Sequence, residues 1–377
     1  LVAQYTGAKN LKMVSHVATQ TLTMVLIISI ILSTIAWNLS PSILKLLGVE
    51  EVIFEDANIF QRTIFAGLVF NFGFIMFQSL MRGIGEVRIP LYINAATLTI
   101  NFALDPLFIY GWGPIPAYGV TGAAVSTLVT VSLSAFTGIY ILWRGKTDIK
   151  LSTKNFKFDI PLLKKAFKLG APSSIEISAR ALGLTIMTGI AAKFGTSVLA
   201  AYGVGSRLIS FVVIFGLGLL HASSTFVGQN MGAKQVERAE KGATYAAWIG
   251  FTILSIIGVI FFFSAEPLVR TFLESSDDVV QMGVDFLKVT SLAFGFMGAQ
   301  LALVGTLRGS GNTVDSMLLA IIGIWLIQFP FAWITSEMQS FQEFGVWWSF
   351  PVSYVIPCIL TVIWFKRGKW KEKTLVS

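Results

Sequence analysis

The chain has 377 residues, of which 54% are hydrophobic and only 13% are charged. Soluble globular domains carry about 25% charged residues, so this composition excludes an ordinary soluble protein and indicates a polytopic membrane protein. One cysteine and two histidines exclude a disulfide framework or a cysteine–histidine metal cluster. The net charge of +8 would suit a nucleic-acid-binding protein, but the placement of the basic residues argues against that function.

Long apolar segments follow one another along the whole chain, each with the roughly 20 residues that a helix needs to cross a bilayer. The fold class predicted from them is an all-α polytopic membrane protein with ten transmembrane helices. The predicted segments are 14–39, 57–81, 89–110, 117–143, 166–192, 197–228, 241–264, 280–307, 314–335 and 344–365. The opening residues 1–10 read as the end of a further helix.

Lysine and arginine are distributed very unevenly over the connections between these segments. One set of alternate connections, together with the C-terminal tail, contains 21 basic residues, whereas the opposite set contains three. Basic connections remain on the cytoplasmic side of a membrane, so the C-terminus is predicted to be cytoplasmic. The net charge is therefore a signal of topology, and we expect the lipid bilayer rather than a nucleic acid as a partner.

An internal repeat divides the chain into two halves. VAQYTGAK (2–9) matches VGQNMGAK (227–234) at five of eight positions, and RGIG (82–85) matches RGSG (308–311) at nearly the same offset. Pro41 and Pro267 are related by that offset too. An even number of helices separates equivalent positions, so the two halves have the same orientation in the membrane. Transporters built from such parallel repeats usually bind their substrate between the two halves.

The repeat predicts two six-helix lobes related by an axis along the membrane normal. Residues 1–143 form an N-lobe that contains helices 3–6, so two further helices would precede residue 1. Residues 144–165 form a basic cytoplasmic linker, and 166–377 form a C-lobe with helices 7–12.

The most informative polar residues lie in the segment 97–127. Asn101 and Asp105 are spaced four apart, so a helix places them on one face. A carboxylate inside an apolar helix costs about 2.5–3.5 kcal/mol on insertion scales, which favours a functional role. Asp105 could take up a proton, or it could hold Na+ together with Asn101 and a hydroxyl, for which Thr121, Ser126 and Thr127 are the candidates. The alternative is that Asp105 caps a helix end or lies in the outer membrane interface, because Pro106 and Gly111 follow closely.

Four stretches together resemble the multidrug and toxic compound extrusion family, and its archaeal and bacterial branch most. They are LDPLFIYGWGPIPAYGVTGAA (104–124), VAQYTGAKN (2–10), LMRGIGEVRIP (80–90) and VGQNMGAK (227–234). The resemblance implies a central cavity that opens alternately to each side of a prokaryotic plasma membrane. It implies a monomeric exporter of small organic, chiefly cationic, compounds in exchange for H+ or Na+. It also implies that Asp105 and Asn101 line the cation site of the N-lobe.

Further polar residues are candidates for lining the substrate cavity. Gln78 could donate a hydrogen bond to a substrate, although hydrogen bonding between helices explains it equally well. Asn94 extends the helical stripe of Asn101 and Asp105 and is a candidate for the same cavity. Glu176 and Arg180 are spaced four apart, and they form either a self-neutralising ion pair or a polar site in the C-lobe. Arg207 could compete with Arg180 for Glu176.

No phosphate-binding GxxxxGK[ST] loop and no HExxH or CxxC motif occurs in the sequence. The protein is therefore predicted not to be an enzyme and to need no cofactor besides the coupling ion. Two alternatives to drug export remain open. One is a lipid-linked oligosaccharide flippase of the same superfamily, and the other is a non-transporting membrane receptor.

Overall fold

The computed structural model describes residues 1–114, 116–145, 147–151, 156–273, 276–338 and 341–376. Within these ranges the chain forms helices and turns, without a β-strand. The first half contains α1 (Val2–Gly7), α2 (Leu11–Leu46), α3 (Glu51–Gly83), α4 (Arg88–Tyr110) and α5 (Gly119–Arg144). The second half contains α6 (Ile160–Ala192), α7 (Thr196–Gly232), α8 (Val236–Phe263), α9 (Ala265–Phe272), α10 (Asp277–Ser291), α11 (Phe294–Ser310), α12 (Thr313–Ile321), α13 (Phe329–Ser336) and α14 (Glu343–Lys366).

Eight helical stretches in the described part of the chain are long and apolar enough to cross a membrane, or nine if one bent pair is a single span. Helix α4, which carries Asp105, does not belong to that set, so the predicted number of ten spans is not confirmed. The finding nevertheless agrees with the fold class, an all-helical multi-pass membrane protein.

Two of the predicted segments are interrupted. The segment 280–307 is a pair of helices, α10 and α11, that meet at a bend of 51°. The segment 314–335 changes at Ile322 from α12 into a π-helical stretch that continues to Gln328 before α13 begins. Stretches of π-helix are uncommon and occur often at functional sites.

The chain folds as two compact units. The N-unit comprises Gln4–Lys165 with Val2, and the C-unit comprises Ala166–Ser377 with Leu1 and Ala3. In the N-unit, α3 packs against α2 and α5, and α5 also packs against α4. Gly138 of α5 makes room for the buried ring of Phe77 in α3, because a Cβ at that glycine would lie 2.7 Å from the ring.

Helix α11 forms the centre of the C-unit, where α7, α8 and α14 surround it. Its glycines permit close approach: a Cβ on Gly298 would lie 2.3 Å from the carbonyl oxygen of Gly250 in α8. A Cβ on Gly305 would lie 2.2 Å from the carbonyl oxygen of Leu220 in α7. Such small residues let transmembrane helices pack backbone to backbone.

The repeated sequence motifs adopt matching turns. Lys9 and Lys234, at the ends of the two GAK motifs, both have positive φ angles, of 55° and 60°. Gly85 and Gly311, which end the two RGxG motifs, have φ angles of 87° and 93°. Equivalent sequences therefore fold alike locally, while the repeat of whole lobes stays a prediction.

The last part of the linker contacts α2 within the N-unit. Asp159 caps the start of α6 by accepting a hydrogen bond of 3.0 Å from the backbone N–H of Leu162. The same carboxylate lies 2.9 Å from Nε2 of His16 in α2. Gln20, one turn further along α2, donates a hydrogen bond of 2.6 Å to the carbonyl oxygen of Lys157. These contacts fix the first turn of α6 to α2.

Candidate functional site

Asp105 lies within α4, five residues before the helix ends at Tyr110, and its side chain is half-buried. Asn101 lies one turn earlier on the same face, as the spacing of four predicts. Its Nδ2 donates a hydrogen bond of 3.3 Å to Oδ1 of Asp105. Helix α4 continues through Pro106 to Tyr110, so Asp105 lies within the helix and does not cap a helix end.

Helix α5 supplies the third member of the cluster. The hydroxyl of Ser126, which is fully buried, donates a hydrogen bond to Oδ1 of Asp105. Nδ2 of Asn101 lies 3.5 Å from the same hydroxyl oxygen. Asp105, Asn101 and Ser126 thus form one connected polar cluster across two helices, which we call the Asp105 cluster.

A glycine explains why the two helices meet here. Gly122 lies one turn before Ser126 in α5, and a Cβ at this position would lie 2.2 Å from the carbonyl oxygen of Phe108 in α4. The backbones can therefore approach each other only because this side chain is absent. Gly122 is consequently the residue that brings Ser126 within hydrogen-bonding reach of Asp105.

The threonines named from the sequence lie on the same helix but do not form this contact. The hydroxyl of Thr127 donates a hydrogen bond of 2.9 Å to the carbonyl oxygen of Ala123 in its own helix. Thr121 is half-buried in the first turn of α5. Of the three hydroxyls considered, Ser126 is the one that bonds to Asp105.

The Asp105 cluster contains one carboxylate and neutral partners. Carboxylate, amide and hydroxyl oxygens are the ligands that hard cations prefer, and a carboxylate is also a proton acceptor. Within the described ranges, no group of three or more His, Cys, Asp or Glu residues could hold a metal ion. The chemistry of the cluster therefore suits a proton or a single monovalent cation better than a transition metal.

Gln78 and Asn94 meet at a separate place in the N-unit. They line a cavity of about 190 Å³ together with Arg82, Val87, Pro90 and Leu91. Arg82 donates a hydrogen bond of 3.0 Å from Nη2 to the hydroxyl of Ser79. The two amides predicted to line a substrate cavity thus share a small cavity beside a guanidinium group. In α4, Asn94 lies seven residues before Asn101.

Glu176 in the C-unit has a very different environment. Its side chain is 1% exposed, and Oε1 lies 3.3 Å from Nη2 of Arg180, one turn further along α6. Oε2 lies 2.8 Å from Nη2 of Arg308 in α11 and accepts a hydrogen bond of 2.7 Å from Ser316 in α12. The buried carboxylate is therefore paired with two guanidinium groups, which joins three helices.

Arg308 and Ser316 were missed by the sequence reasoning. The charge pattern of the sequence indicates only a basic residue near a cytoplasmic connection, whereas the structure places Arg308 in the last turn of α11 with its guanidinium on Glu176. Arg207, expected to compete for Glu176, is an exposed residue of α7. The one feature of the sequence that singles out Arg308 is the repeated RGxG motif, and this motif does not reveal that Arg308 pairs with Glu176.

The model of the MatE family matches residues 1–107 and 172–334 of the chain. The chain belongs to the MatE family. This result confirms the resemblance found in the sequence, and the long apolar helices agree with the multi-pass membrane architecture of such proteins.

Two curated MatE relatives span the whole chain. The probable multidrug resistance protein YoeA of Bacillus subtilis is 25% identical over 379 residues, which cover 100% of this chain and 81% of that protein. The probable multidrug resistance protein NorM of Thermotoga maritima is 26% identical over 387 residues, with the same coverages of 100% and 81%.

Solved structures share the fold of this MatE chain. A multidrug resistance MATE family transporter of the MOP superfamily, in an outward-facing conformation, superposes with a TM-score of 0.91 at 21% identity. A MATE protein in complex with MaL6 gives a TM-score of 0.91 at 22% identity. Each alignment covers 99% of this chain and 83% of the other.

Proposed function

We propose that this MatE protein is a secondary active exporter of small organic compounds, driven by the entry of H+ or Na+. The names of its curated relatives, which are multidrug resistance proteins, support export of foreign compounds. The excess of basic residues on one side of the predicted topology supports a plasma-membrane protein with a cytoplasmic C-terminus. Organic cations are the substrates that the family resemblance implies, and a monomer is the expected functional unit.

The observation that carries this proposal is the contrast between two carboxylates. Glu176 is held by Arg180 and Arg308, so its charge is already compensated. The partners of Asp105 are Asn101 and Ser126, both neutral, and Asp105 takes part in none of the ion pairs found among the described residues. A half-buried anion without a cationic partner gains from a proton or a Na+ ion more than a paired one does, so Asp105 is assigned as the coupling residue.

Binding of the ion changes the charge of the Asp105 cluster from −1 to zero. That change removes the cost of an uncompensated charge in an apolar span, and it favours whichever arrangement of helices buries the cluster better. A ligand shifts a conformational equilibrium only by its difference in affinity for the two states. Alternating access would follow if the ion-bound and substrate-bound proteins prefer opposite arrangements.

The ion gradient is large enough to drive such a cycle. One charge moving through 100 mV supplies about 2.3 kcal/mol, and one pH unit adds about 1.4 kcal/mol. Together, about 3.7 kcal/mol per ion would sustain roughly a 500-fold gradient of a neutral substrate. A monovalent cation exchanged one for one moves no net charge, so one pH unit alone would sustain about a tenfold gradient of it. The transporter therefore needs no ATP-hydrolysing module.

The test is efflux of a fluorescent substrate such as ethidium from proteoliposomes that contain the full-length protein. We expect export under an imposed pH or Na+ gradient, and a reduction of at least about tenfold in Asp105→Asn, which corresponds to about 1.4 kcal/mol of lost coupling. The matched control is Asp56→Asn, an exposed carboxylate near the start of α3, which should export like the wild type. Undiminished gradient-driven efflux by Asp105→Asn would refute the assignment of the residue, and no gradient dependence in the wild type would refute the function.

A further inference from the structure

A cavity of about 680 Å³ lies between the start of α2 and the linker. Its walls are formed by residues of the first turns of α2, from Leu11 to Gln20, and by the linker residues 150, 151, 156 and 157. All of these residues belong to the N-unit. We call this space the linker cavity, and it shares no lining residue with the cavity beside Gln78.

Hydrogen bonds hold two segments of the linker against α2. The backbone N–H of Lys150 donates a hydrogen bond of 3.1 Å to the hydroxyl of Ser15. Gln20 donates one of 2.6 Å to the carbonyl oxygen of Lys157 and accepts one of 3.2 Å from the backbone N–H of Asp159. Ser15 and Gln20 are about 7.5 Å apart along the helix axis, so the backbones of the two lysines are fixed at two separate points of the cavity wall.

The linker cavity has an excess of positive charge. Lys12, Lys150 and Lys157 line it, and they take part in none of the ion pairs found among the described residues. The carboxylate of Asp159, beside the wall, already lies 2.9 Å from Nε2 of His16. No Asp or Glu is among the described residues that line the cavity, so the lining favours an anionic ligand.

Apolar side chains form the rest of the lining, and they are Leu11, Leu151 and Phe156. The ring of Phe156 packs edge-on against that of Phe158 at 5.1 Å, and Phe158 is itself exposed. Inorganic phosphate gains nothing from such a surface, whereas a phospholipid carries apolar carbons close to its phosphate. The combination of lysines and apolar side chains therefore suits an anionic lipid better than a soluble phosphate.

The position of the cavity along α2 places it near the membrane surface. Helix α2 has 36 residues, about 54 Å of helix, which exceeds a hydrocarbon core of about 30 Å. After Leu11, the exposed large apolar side chains of α2 begin only at Ile27, so the part that faces lipid follows the cavity. The first turns of α2 thus lie at the end of the span that the charge distribution predicts to be cytoplasmic, where anionic lipids attract basic residues.

We propose that the linker cavity binds the phosphate group of an anionic phospholipid. Lys12, Lys150 and Lys157 pair with the phosphate, and the apolar lining contacts the carbons next to it. Basic pockets on the cytoplasmic side of membrane proteins bind lipid headgroups through such residues. A lipid bound here contacts both α2 and the linker, so it stabilises the attachment of the linker to α2. The inference concerns a site apart from the Asp105 cluster and does not depend on the export function.

Two lipids with identical acyl chains test the charge preference of the cavity. Dioleoyl phosphatidylglycerol and dioleoyl phosphatidylcholine both contain a phosphate, but choline neutralises its charge in the second lipid. Binding of each lipid to the purified full-length protein is measured by native mass spectrometry. We expect the wild type to bind phosphatidylglycerol at least about tenfold more tightly than phosphatidylcholine. Hydrogen exchange locates the site, because phosphatidylglycerol should increase protection at residues 156–162 more than phosphatidylcholine does.

Replacement of the three cavity lysines assigns the preference to them. The triple variant Lys12→Gln/Lys150→Gln/Lys157→Gln should bind phosphatidylglycerol at least about tenfold more weakly than the wild type and leave binding of phosphatidylcholine within about twofold. Replacement of the same three residues by arginine retains the positive charge. That variant should therefore keep the preference for phosphatidylglycerol.

A second triple variant controls for net charge. Lys366→Gln/Lys369→Gln/Lys373→Gln removes three exposed lysines near the C-terminus, none of which lines the cavity. It changes the net charge of the protein by the same amount as replacement of the cavity lysines by glutamine. We expect this control to keep the lipid preference of the wild type and the added protection at residues 156–162.

Inorganic phosphate, added in excess at matched ionic strength, tests a soluble source of the phosphate group. It should not reproduce the protection that phosphatidylglycerol gives. If inorganic phosphate protects residues 156–162 as strongly as phosphatidylglycerol, a soluble phosphate is the ligand and the lipid assignment is wrong. Equal binding of the two lipids by the wild type, or an unchanged preference after replacement of the cavity lysines by glutamine, would also overturn the inference.

Discussion

The hydroxyl of Ser126 donates a hydrogen bond to the carboxylate of Asp105 and thereby joins α5 to α4. Hydrogen bonds to charged groups contribute about 1.5–3 kcal/mol, and this one holds the carboxylate that we assign to ion coupling. The contact also orients Asp105 toward Asn101, whose amide lies 3.3 Å away.

Removal of the Ser126 hydroxyl should weaken binding of the coupling ion. Ser126→Ala leaves Asp105 with Asn101 alone and removes one oxygen that a bound Na+ could use, so we expect the apparent ion affinity in proteoliposome efflux to fall about tenfold to a hundredfold, as loss of 1.5–3 kcal/mol implies. Thr127→Ala is the matched control, because that hydroxyl bonds to a backbone carbonyl in its own helix. If Thr127→Ala lowers the apparent ion affinity more than Ser126→Ala does, the hydroxyl that supports ion binding is that of Thr127, as the sequence suggested, and not that of Ser126.

Gly122→Ala should separate α4 from α5. The new Cβ would lie 2.2 Å from the carbonyl oxygen of Phe108, so the helices must move apart, and overpacking of this kind costs about 1–3 kcal/mol. We expect a lower melting temperature of the purified protein and a lower apparent ion affinity, because Ser126 moves away from Asp105. Gly189→Ala in α6 is the control, since its Cβ would meet open space. An unchanged melting temperature and ion affinity in Gly122→Ala would show that the helices do not meet as described.

Part of the Asp105 cluster can be predicted from the sequence. The spacing of Asn101 and Asp105 follows from helical geometry, and the structure places both on one face. The choice of Ser126 over Thr121 and Thr127 depends on the rotation of α5 about its axis. That rotation is fixed by the contact of Gly122 with α4, and periodicity does not reveal it.

Other features depend on contacts between distant parts of the chain. The pairing of Arg308 with Glu176 joins α11 to α6, and a single sequence shows only that each residue is charged. The bend between α10 and α11 falls at Leu292–Ala293, where neither proline nor glycine marks a break. The hydrophobic segment 280–307 therefore reads as one helix, although packing in the C-unit divides it.

Arg308→Gln should destabilise the C-unit. The substitution leaves Glu176, which is 1% exposed, with the longer contact to Arg180 as its remaining ion pair. Breaking a buried pair costs about 3–5 kcal/mol, because it leaves a buried charge poorly compensated. We expect a clear fall in the melting temperature of Arg308→Gln and partial recovery in the double variant Glu176→Gln/Arg308→Gln.

The equivalent residue of the other RGxG motif provides the control. Arg82 donates to the hydroxyl of Ser79, so Arg82→Gln breaks no ion pair among the described residues and should cost less than Arg308→Gln. Equal destabilisation by the two substitutions, or a double variant that is less stable than Arg308→Gln alone, would contradict the assigned role of the pair.

The contact between His16 and Asp159 should make the start of α6 sensitive to acid. The hydrogen bond from His16 and the backbone N–H of Leu162 lower the pKa of Asp159 below its usual value of 3.8. A carboxylate with a depressed pKa in the folded state contributes stability above that usual value and loses it as the pH falls through the depressed pKa. Protection of the first turn of α6 from hydrogen exchange, corrected for intrinsic rates, should therefore decrease as the pH falls below about 4.

One substitution separates the role of Asp159 as a helix cap from its contact with α2. Asp159→Ser retains a residue that caps helix starts well but loses the carboxylate, so protection of this turn should be lower at neutral pH and independent of acid. The start of α2 is the internal control, because its cap is the neutral Asn10, which accepts from the N–H of Met13 at 3.1 Å. If Asp159→Ser retains the acid-dependent loss of protection seen in the wild type, another group is responsible and Asp159 does not fasten α6 to α2 through its charge.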